Sequence, residues 1–250
     1  MKKCEYDQMY MLEESHFWFV GKRMFINKYL KSIQSSITQI LDVGSGTGGT
    51  TKWLGQFGDV IGLENNTHGV TLGKKRGVAV LKGNATKLPF NDNCFSLVTL
   101  LDVLYHKQIR DVDTVLREIL RVLKPGGYLL ITDSAFPFLF STHDDFQSGN
   151  KRFTLGQLHK NLSNSGFQID RSSYIFFFIF PLLLVKRKII NYFFPPIRSD
   201  VNNVNVLMNW LLISLLKFES IFLSHISFPI GSSLIILAKK QQKQLVKNLS

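Results

Sequence analysis

The tightest constraint on this chain is ten residues long: Ile40-Leu41-Asp42-Val43-Gly44-Ser45-Gly46-Thr47-Gly48-Gly49. A short apolar run enters a turn with four glycines, and a helical stretch follows at 50–57. Glycines let the backbone turn tightly and bring main-chain N–H groups close to a ligand. A strand, glycine turn and helix in this order open a parallel crossover unit. The rest of the chain keeps that rhythm. Apolar runs at 60–63, 78–81, 95–101, 128–132, 167–174 and 232–238 read as strands. Residues 112–123 read as a helix with Val115, Leu116, Ile119 and Val122 on one face, closed by Lys124-Pro125-Gly126-Gly127, and 154–165 as another. Continuous apolar strands are buried on both faces. The expected fold is α/β: a doubly wound, mostly parallel seven-stranded sheet. Residues 1–37 form a helical cap, with helix through 5–35. Residues 38–250 form the ligand-binding domain, with an apolar helical insertion at about 175–230 before the last strand.

Composition excludes several alternatives. With 250 residues and 45% hydrophobic content the chain can bury an ordinary core, so disorder and a disulfide scaffold are excluded. Two cysteines, Cys4 and Cys94, neither in a CxxC, make no metal quartet and suggest a reducing compartment; no histidine pair has ligand spacing, so no metal is expected. The formal net charge is +12, yet it is uneven. Residues 1–170 hold 20 basic and 16 acidic side chains, whereas 171–250 hold 10 and 2. Because the excess accompanies the longest apolar runs, it points to a membrane surface or charged lipid rather than to nucleic acid.

The glycine turn admits two nucleotide readings. Gly44, Gly46 and Gly49 satisfy G-x-G-x-x-G, and Glu64 follows Gly44 by twenty residues, as the ribose-binding acid of a nicotinamide-dependent oxidoreductase would. Asp42, two residues before the first glycine, makes instead acid-x-Gly-x-Gly-x-Gly with Gly44, Gly46 and Gly48. That block resembles motif I of the class I S-adenosylmethionine-dependent methyltransferases, of the type 11/12-like kind. Four further blocks resemble the same family in order: Glu64; Asn84-Ala85 with Leu88-Pro89-Phe90; Phe95-Ser96-Leu97-Val98 with Asp102-Val103-Leu104-Tyr105-His106; and Leu116 through Gly127. The family usually has Asp where Asn84 stands and often Asp where Ser96 stands.

The resemblance implies S-adenosylmethionine as cofactor and S-adenosylhomocysteine as product. The methionine end would lie along Asp42, Gly44, Ser45, Gly46 and Gly48, closed by Leu101 and Asp102. Glu64 would accept both ribose hydroxyls, with Asn65 beside it, and Asn84 and Ala85 would flank the adenine. Glu14 through Arg23 resembles an N-terminal cap block of a subset of the family, which places Trp18 on the cofactor and Arg23 on its carboxylate. The loop after the fifth strand resembles that subset's substrate loop, with Phe136, Asp144 and Arg152 as substrate contacts. His143, His106 and Tyr105 are the candidates for moving a proton. The Asn/Asp-Pro-Pro-aromatic motif of base amine methylation is absent after the fourth strand.

The expected activity is methyl transfer to a small-molecule, glycan or lipid-linked acceptor. The alternatives are an NAD(P)-dependent oxidoreductase and a non-catalytic, membrane-associated protein that keeps the fold. Residues 174–185 are uncharged and end at Lys186-Arg187-Lys188, and 201–216 are uncharged but carry four Asn. Both fall short of the ~18 apolar residues of a spanning helix. They either roof the acceptor site or form a monotopic patch through 176–185. The expected location is cytoplasmic, on the inner membrane face in the second case.

Overall fold

The computed structural model describes residues 2–140, 144, 148–185 and 204–241. Seven strands form one sheet: β1 (Gln39–Val43), β2 (Asp59–Glu64), β3 (Val80–Lys82), β4 (Phe95–Leu101), β5 (Leu123–Ser134), β6 (Phe167–Ile175) and β7 (Ser233–Lys240). Their order is β3-β2-β1-β4-β5-β7-β6. All pairs are parallel except those of β7, which runs antiparallel to β5 and β6. The winding reverses between β1 and β4, and that reversal opens a crevice beyond the carboxyl ends of the strands. The expected doubly wound sheet is therefore the one observed.

Strand period 2 divides the core. Leu41, Val43, Val98, Leu100, Leu129 and Ile131 face α5 (Val112–Val122) and α6 (Leu155–Asn164). Ile40, Leu97, Leu130, Ile235 and Leu237 face Phe25, Ile26, Tyr29 and Leu30 of the N-terminal cap. These strand residues are fully or almost fully buried, which explains why their strands read as unbroken apolar runs.

The cap is two helices rather than one, α1 (Lys3–Leu12) and α2 (Phe17–Ser32), because His16 caps α2 by accepting from the Trp18 amide. Between β2 and β3 lies α4 (Thr67–Lys75), which sequence reasoning missed; α3 (Gly49–Leu54) precedes it. Gly69 and Gly73 weaken its helical signal. They are there for space: a Cβ on Gly73 would lie 2.7 Å from Val80 Cγ2. Asn66 caps α4 through the His68 amide at 2.8 Å.

The insertion is also differently built than expected. Residues 174–185 are not one helix: β6 ends at Ile175, Phe176 turns the chain at φ 62°, and a short α7 (Phe180–Val185) follows. The last helix, α8 (Val206–Phe222), is capped by Asn205. It packs on α2 with Leu216, Glu219 and Ser220 buried, while Lys217 is exposed. Asn209 accepts from the Phe17 amide at 2.8 Å and donates to the Ser15 carbonyl, tying α8 to the α1–α2 junction. Glu219 is fully buried and accepts the amides of Phe177 and Phe178. Among the described residues no helix is long and apolar enough to cross a membrane.

Candidate active site

The crevice holds a cavity of about 270 Å³, built from the ends of β1, β2 and β4 and roofed by α1 and α2. The turn after β1 carries Gly44 at φ 79° and Gly48 at φ 83°, left-handed conformations that favour glycine. Gly44, Ser45 and Gly46 line the cavity. Gly48 is not among the lining residues; a Cβ there would lie 2.9 Å from the Gly73 backbone, so it serves α3–α4 packing. The Ser45 hydroxyl is buried against Gly62 without a hydrogen-bond partner among the described residues.

Asp42 and Glu64 are locked in place. Asp42 accepts the hydroxyls of Thr51 and Thr99 at 2.6 and 2.7 Å. Burial pushes its carboxyl up to about 6 despite those two bonds. Glu64, at the tip of β2, accepts the Gly46 amide at 2.9 Å, the Asn66 amide at 2.8 Å and the Tyr6 hydroxyl at 3.0 Å. The glycine turn and the acid on the next strand are thus one hydrogen-bonded unit. Leu101, Asp102, Asn65, Asn84 and Ala85 line the same cavity, as does Trp18 from α2.

The N-terminal cap contributes more than the sequence suggested. Glu13 reaches the start of α3, where it accepts the Thr47 hydroxyl and, at 2.9 Å, the Thr50 amide. Arg76 of the α4 end lies 3.4 Å from Glu13 and holds Glu14 at 2.7 Å. On α2, Lys22 rather than Arg23 faces the cavity. Lys22 pairs with Asp102 and lies 5.5 Å from the Trp18 ring centroid. Trp18 and Lys22 are four residues apart and share a helix face, whereas Arg23 is rotated about 100° away. Arg23 instead donates to the Glu13 and Glu14 carbonyls and closes the α1–α2 junction. Tyr6 and Glu13 carried no signal in a single sequence, because their partners are residues 34 to 58 positions away.

On the acceptor side, Tyr105, His106 and Asp144 line the cavity, and His143 lies outside the described residues. The Asn150 amide donates to the Tyr105 carbonyl and the Lys107 amide to the Ser148 carbonyl, so the substrate loop is stitched onto the segment after β4. Burial pushes His106 down to about 4, leaving a neutral imidazole. Burial, reinforced by Asp102, Asp133 and Asp144, pushes the Tyr105 hydroxyl well up, so it keeps its proton. Arg152 is buried and spent on Asp144, at 2.9 and 2.7 Å, and on the Ala135 carbonyl. It anchors the loop and is not among the lining residues. Phe136, at φ 60°, stacks on Tyr174 at 4.6 Å and sits beside the cavity rather than in it. Asp133, fully buried at the end of β5, has one carboxyl oxygen without a hydrogen-bond partner among the described residues. Burial, then the nearby Asp102, pushes it up to about 8. Among the described residues no three His, Cys, Asp or Glu side chains converge as metal ligands.

The electrostatics separate the two nucleotide readings. Glu5, Glu13, Asp42, Glu64, Asp102 and Asp144 line the cavity against one lysine, Lys22. A dinucleotide would put its pyrophosphate at the start of α3. That place is taken by the Glu13 carboxylate. S-adenosylmethionine carries a sulfonium, an ammonium and one carboxylate, and a lining of several acids and one lysine suits that charge pattern.

Comparison with known proteins agrees. The methyltransferase-domain family profile matches residues 41–131. The ubiquinone/menaquinone biosynthesis C-methyltransferase UbiE of Pseudoalteromonas translucida is 34% identical over 140 residues, 50% of this chain and 55% of that protein. The UbiE of Pseudomonas aeruginosa is 31% identical over 176 residues, 65% of this chain and 67% of that protein. The chain spans about half the length of several of the curated relatives it matches. In fold it is similar to an S-adenosylmethionine dependent methyltransferase from Mesorhizobium loti, with a TM-score of 0.57 at 15% identity, covering 84% of this chain and 95% of that one. Glycine turn, ribose acid, strand order and relatives converge: the chain belongs to the class I S-adenosylmethionine-dependent methyltransferases.

Proposed function

We propose that this chain methylates a small, apolar acceptor, using S-adenosylmethionine. The observation that carries the reading is the unit of Gly46 and Glu64, joined by a 2.9 Å hydrogen bond inside a cavity lined by six carboxylates. The cofactor supplies an electrophilic methyl on a sulfonium that is its own leaving group. The chain supplies position and charge. Glu64 accepts the ribose hydroxyls, with the Tyr6 hydroxyl giving way to one of them. Asn84 and Ala85 bracket the adenine. Lys22 meets the carboxylate and Asp102 the ammonium. Trp18, Phe19, Tyr105 and Ile109 supply large apolar side chains to the cavity wall. Bringing acceptor and methyl together is the larger part of the rate gain.

An acceptor carbon or hydroxyl gives up one proton for each methyl it gains. His106 lines the cavity with an unprotonated imidazole and is the group placed to take that proton, although burial also makes it a weaker base. Tyr105 holds its own proton and can donate a hydrogen bond to the acceptor. The large apolar side chains favour an aromatic or prenylated acceptor over a glycan, and the relatives named for ubiquinone and menaquinone biosynthesis support that class.

Calorimetry with S-adenosylhomocysteine tests the cofactor half. Wild type is expected to bind, and Glu64→Ala to bind at least about tenfold more weakly, since two charge-assisted hydrogen bonds are lost. Unchanged binding in Glu64→Ala, or tighter binding of NAD, overturns the reading. Methyl transfer from labelled cofactor to a prenylated hydroquinone tests the acceptor half. Transfer to a polar glycan instead would reassign the class.

A further inference from the structure

Helix α8 buries Leu216 but leaves many of its apolar side chains exposed. Its polar residues Asn209, Glu219 and Ser220 face the protein, while Val206 is 86% and Trp210 62% exposed, and Leu207, Leu211, Phe218 and Ile221 are exposed beside them. A helix on a globular surface ordinarily does the reverse. The exposed face continues past α8: the Phe218 ring lies 5.8 Å from Phe178, and Leu182 and Val185 of α7 are exposed in turn. A continuous apolar surface of this kind marks an interaction site.

We propose that this face of α8 and α7 seats the protein on an anionic lipid surface. The charge on α8 and next to α7 in the chain selects that occupant. Residues 171–250 contain 10 basic and 2 acidic side chains, and one of the two acids, Glu219, is buried beneath α8. Lys217 is exposed on α8 itself, and Lys186, Arg187 and Lys188 follow the end of α7 directly in the chain. A second copy of the chain would set these cations against their own kind. A bilayer with acidic headgroups accepts both the cations and the apolar side chains between them. At 17 residues α8 is about 26 Å long, so it lies along the surface with its aromatic side chains sunk among the headgroups rather than crossing. The patch overlaps the one the sequence suggested at Phe178, Leu182 and Val185, but Phe176, Ile179 and Phe180 are buried in the core and α8 supplies most of the exposed face. Through Phe180, 6.2 Å from Phe136, the seated face adjoins the loop on the acceptor side.

The test is flotation of the full chain with phosphatidylglycerol-rich vesicles and with pure phosphatidylcholine vesicles. Wild type is expected to float with the first and much less with the second. Raising salt to about 1 M should weaken flotation, because the screening length falls to about 3 Å. The double variant Trp210→Glu/Phe218→Glu should lose flotation at least about tenfold while S-adenosylhomocysteine binding stays unchanged, which separates this proposal from the methyl-transfer reading. Should that variant fail to fold, Lys186→Gln/Arg187→Gln/Lys188→Gln serves instead and should lower flotation on acidic vesicles only. Three outcomes would overturn the proposal. One is wild type remaining with the unbound fraction. Another is a variant that floats like wild type. The third is a dimer that the double variant breaks without any vesicle binding.

Discussion

His106 at the cavity and the fully buried Asp133 show how burial sets chemistry. His106 would titrate near 6.5 in water, but burial brings it to about 4. Its imidazole therefore accepts a proton across the whole neutral range. We expect kcat/KM to stay level from pH 8 down to about 5, and His106→Gln to lower kcat by about 10²–10⁴-fold, as removal of a general base does. An acid limb near pH 6.5 would instead show an imidazole titrating at its ordinary value. Asp133 runs the other way. Its carboxyl ionises near 3.8 when exposed and at about 8 in the fold. Between those values the unfolded chain has released a proton that the native state retains, so stability falls as pH rises through that window and levels off above pH 8. The slope from one group is at most about 1.4 kcal/mol per pH unit. Asp133→Asn should raise Tm at pH 8 and leave it nearly unchanged at pH 4, measured by calorimetry across that range. Asp42, pushed up to about 6, adds a slope of the same sign below pH 6.

At the scale of elements, α2 is the hinge between site and surface. One of its faces presents Trp18 and Lys22 to the cavity, and Gly21 receives α8. A Cβ at Gly21 would lie 2.4 Å from Leu216 Cδ1 and 3.3 Å from its Cβ and Cγ, so the whole buried side chain would have to move. Alanine gains about 1 kcal/mol of helix propensity over glycine, and overpacking a tight core costs about 1–3 kcal/mol. The second effect wins. Gly21→Ala should lower stability by about 1–2 kcal/mol in denaturant unfolding, and Gly21→Val by more. Helix α1 acts on the cofactor through Glu13 and Tyr6. Glu13→Ala leaves the Thr47 hydroxyl and Thr50 amide without their acceptor and Arg76 short of one partner. The loss should be about 2–4 kcal/mol of stability, with S-adenosylhomocysteine binding weakened too.

Across the whole molecule, both cores share one sheet, with Ile40 on one face and Leu41 on the other. Such a chain should unfold in one cooperative step, and a ligand at the strand ends should stabilise all of it. S-adenosylhomocysteine at a hundredfold excess over its Kd adds about 2.7 kcal/mol, or roughly 5–10 °C in Tm for a chain of this size. NAD at the same concentration should leave Tm unchanged, because Glu13 holds the place of its pyrophosphate. The sheet, the glycine turn, Asp42, Glu64 and the Tyr105-His106 segment were legible in the sequence. Each lies in a local block whose period or spacing repeats over a few residues, and local physics alone sets it. Lys22 in place of Arg23, Glu13 on α3, Arg152 spent on Asp144, and the inward-facing Asn209 and Glu219 of α8 were not legible. Those depend on which face of a helix meets which distant element. A run of residues fixes a helix's period, but only packing against the rest of the chain fixes its rotation.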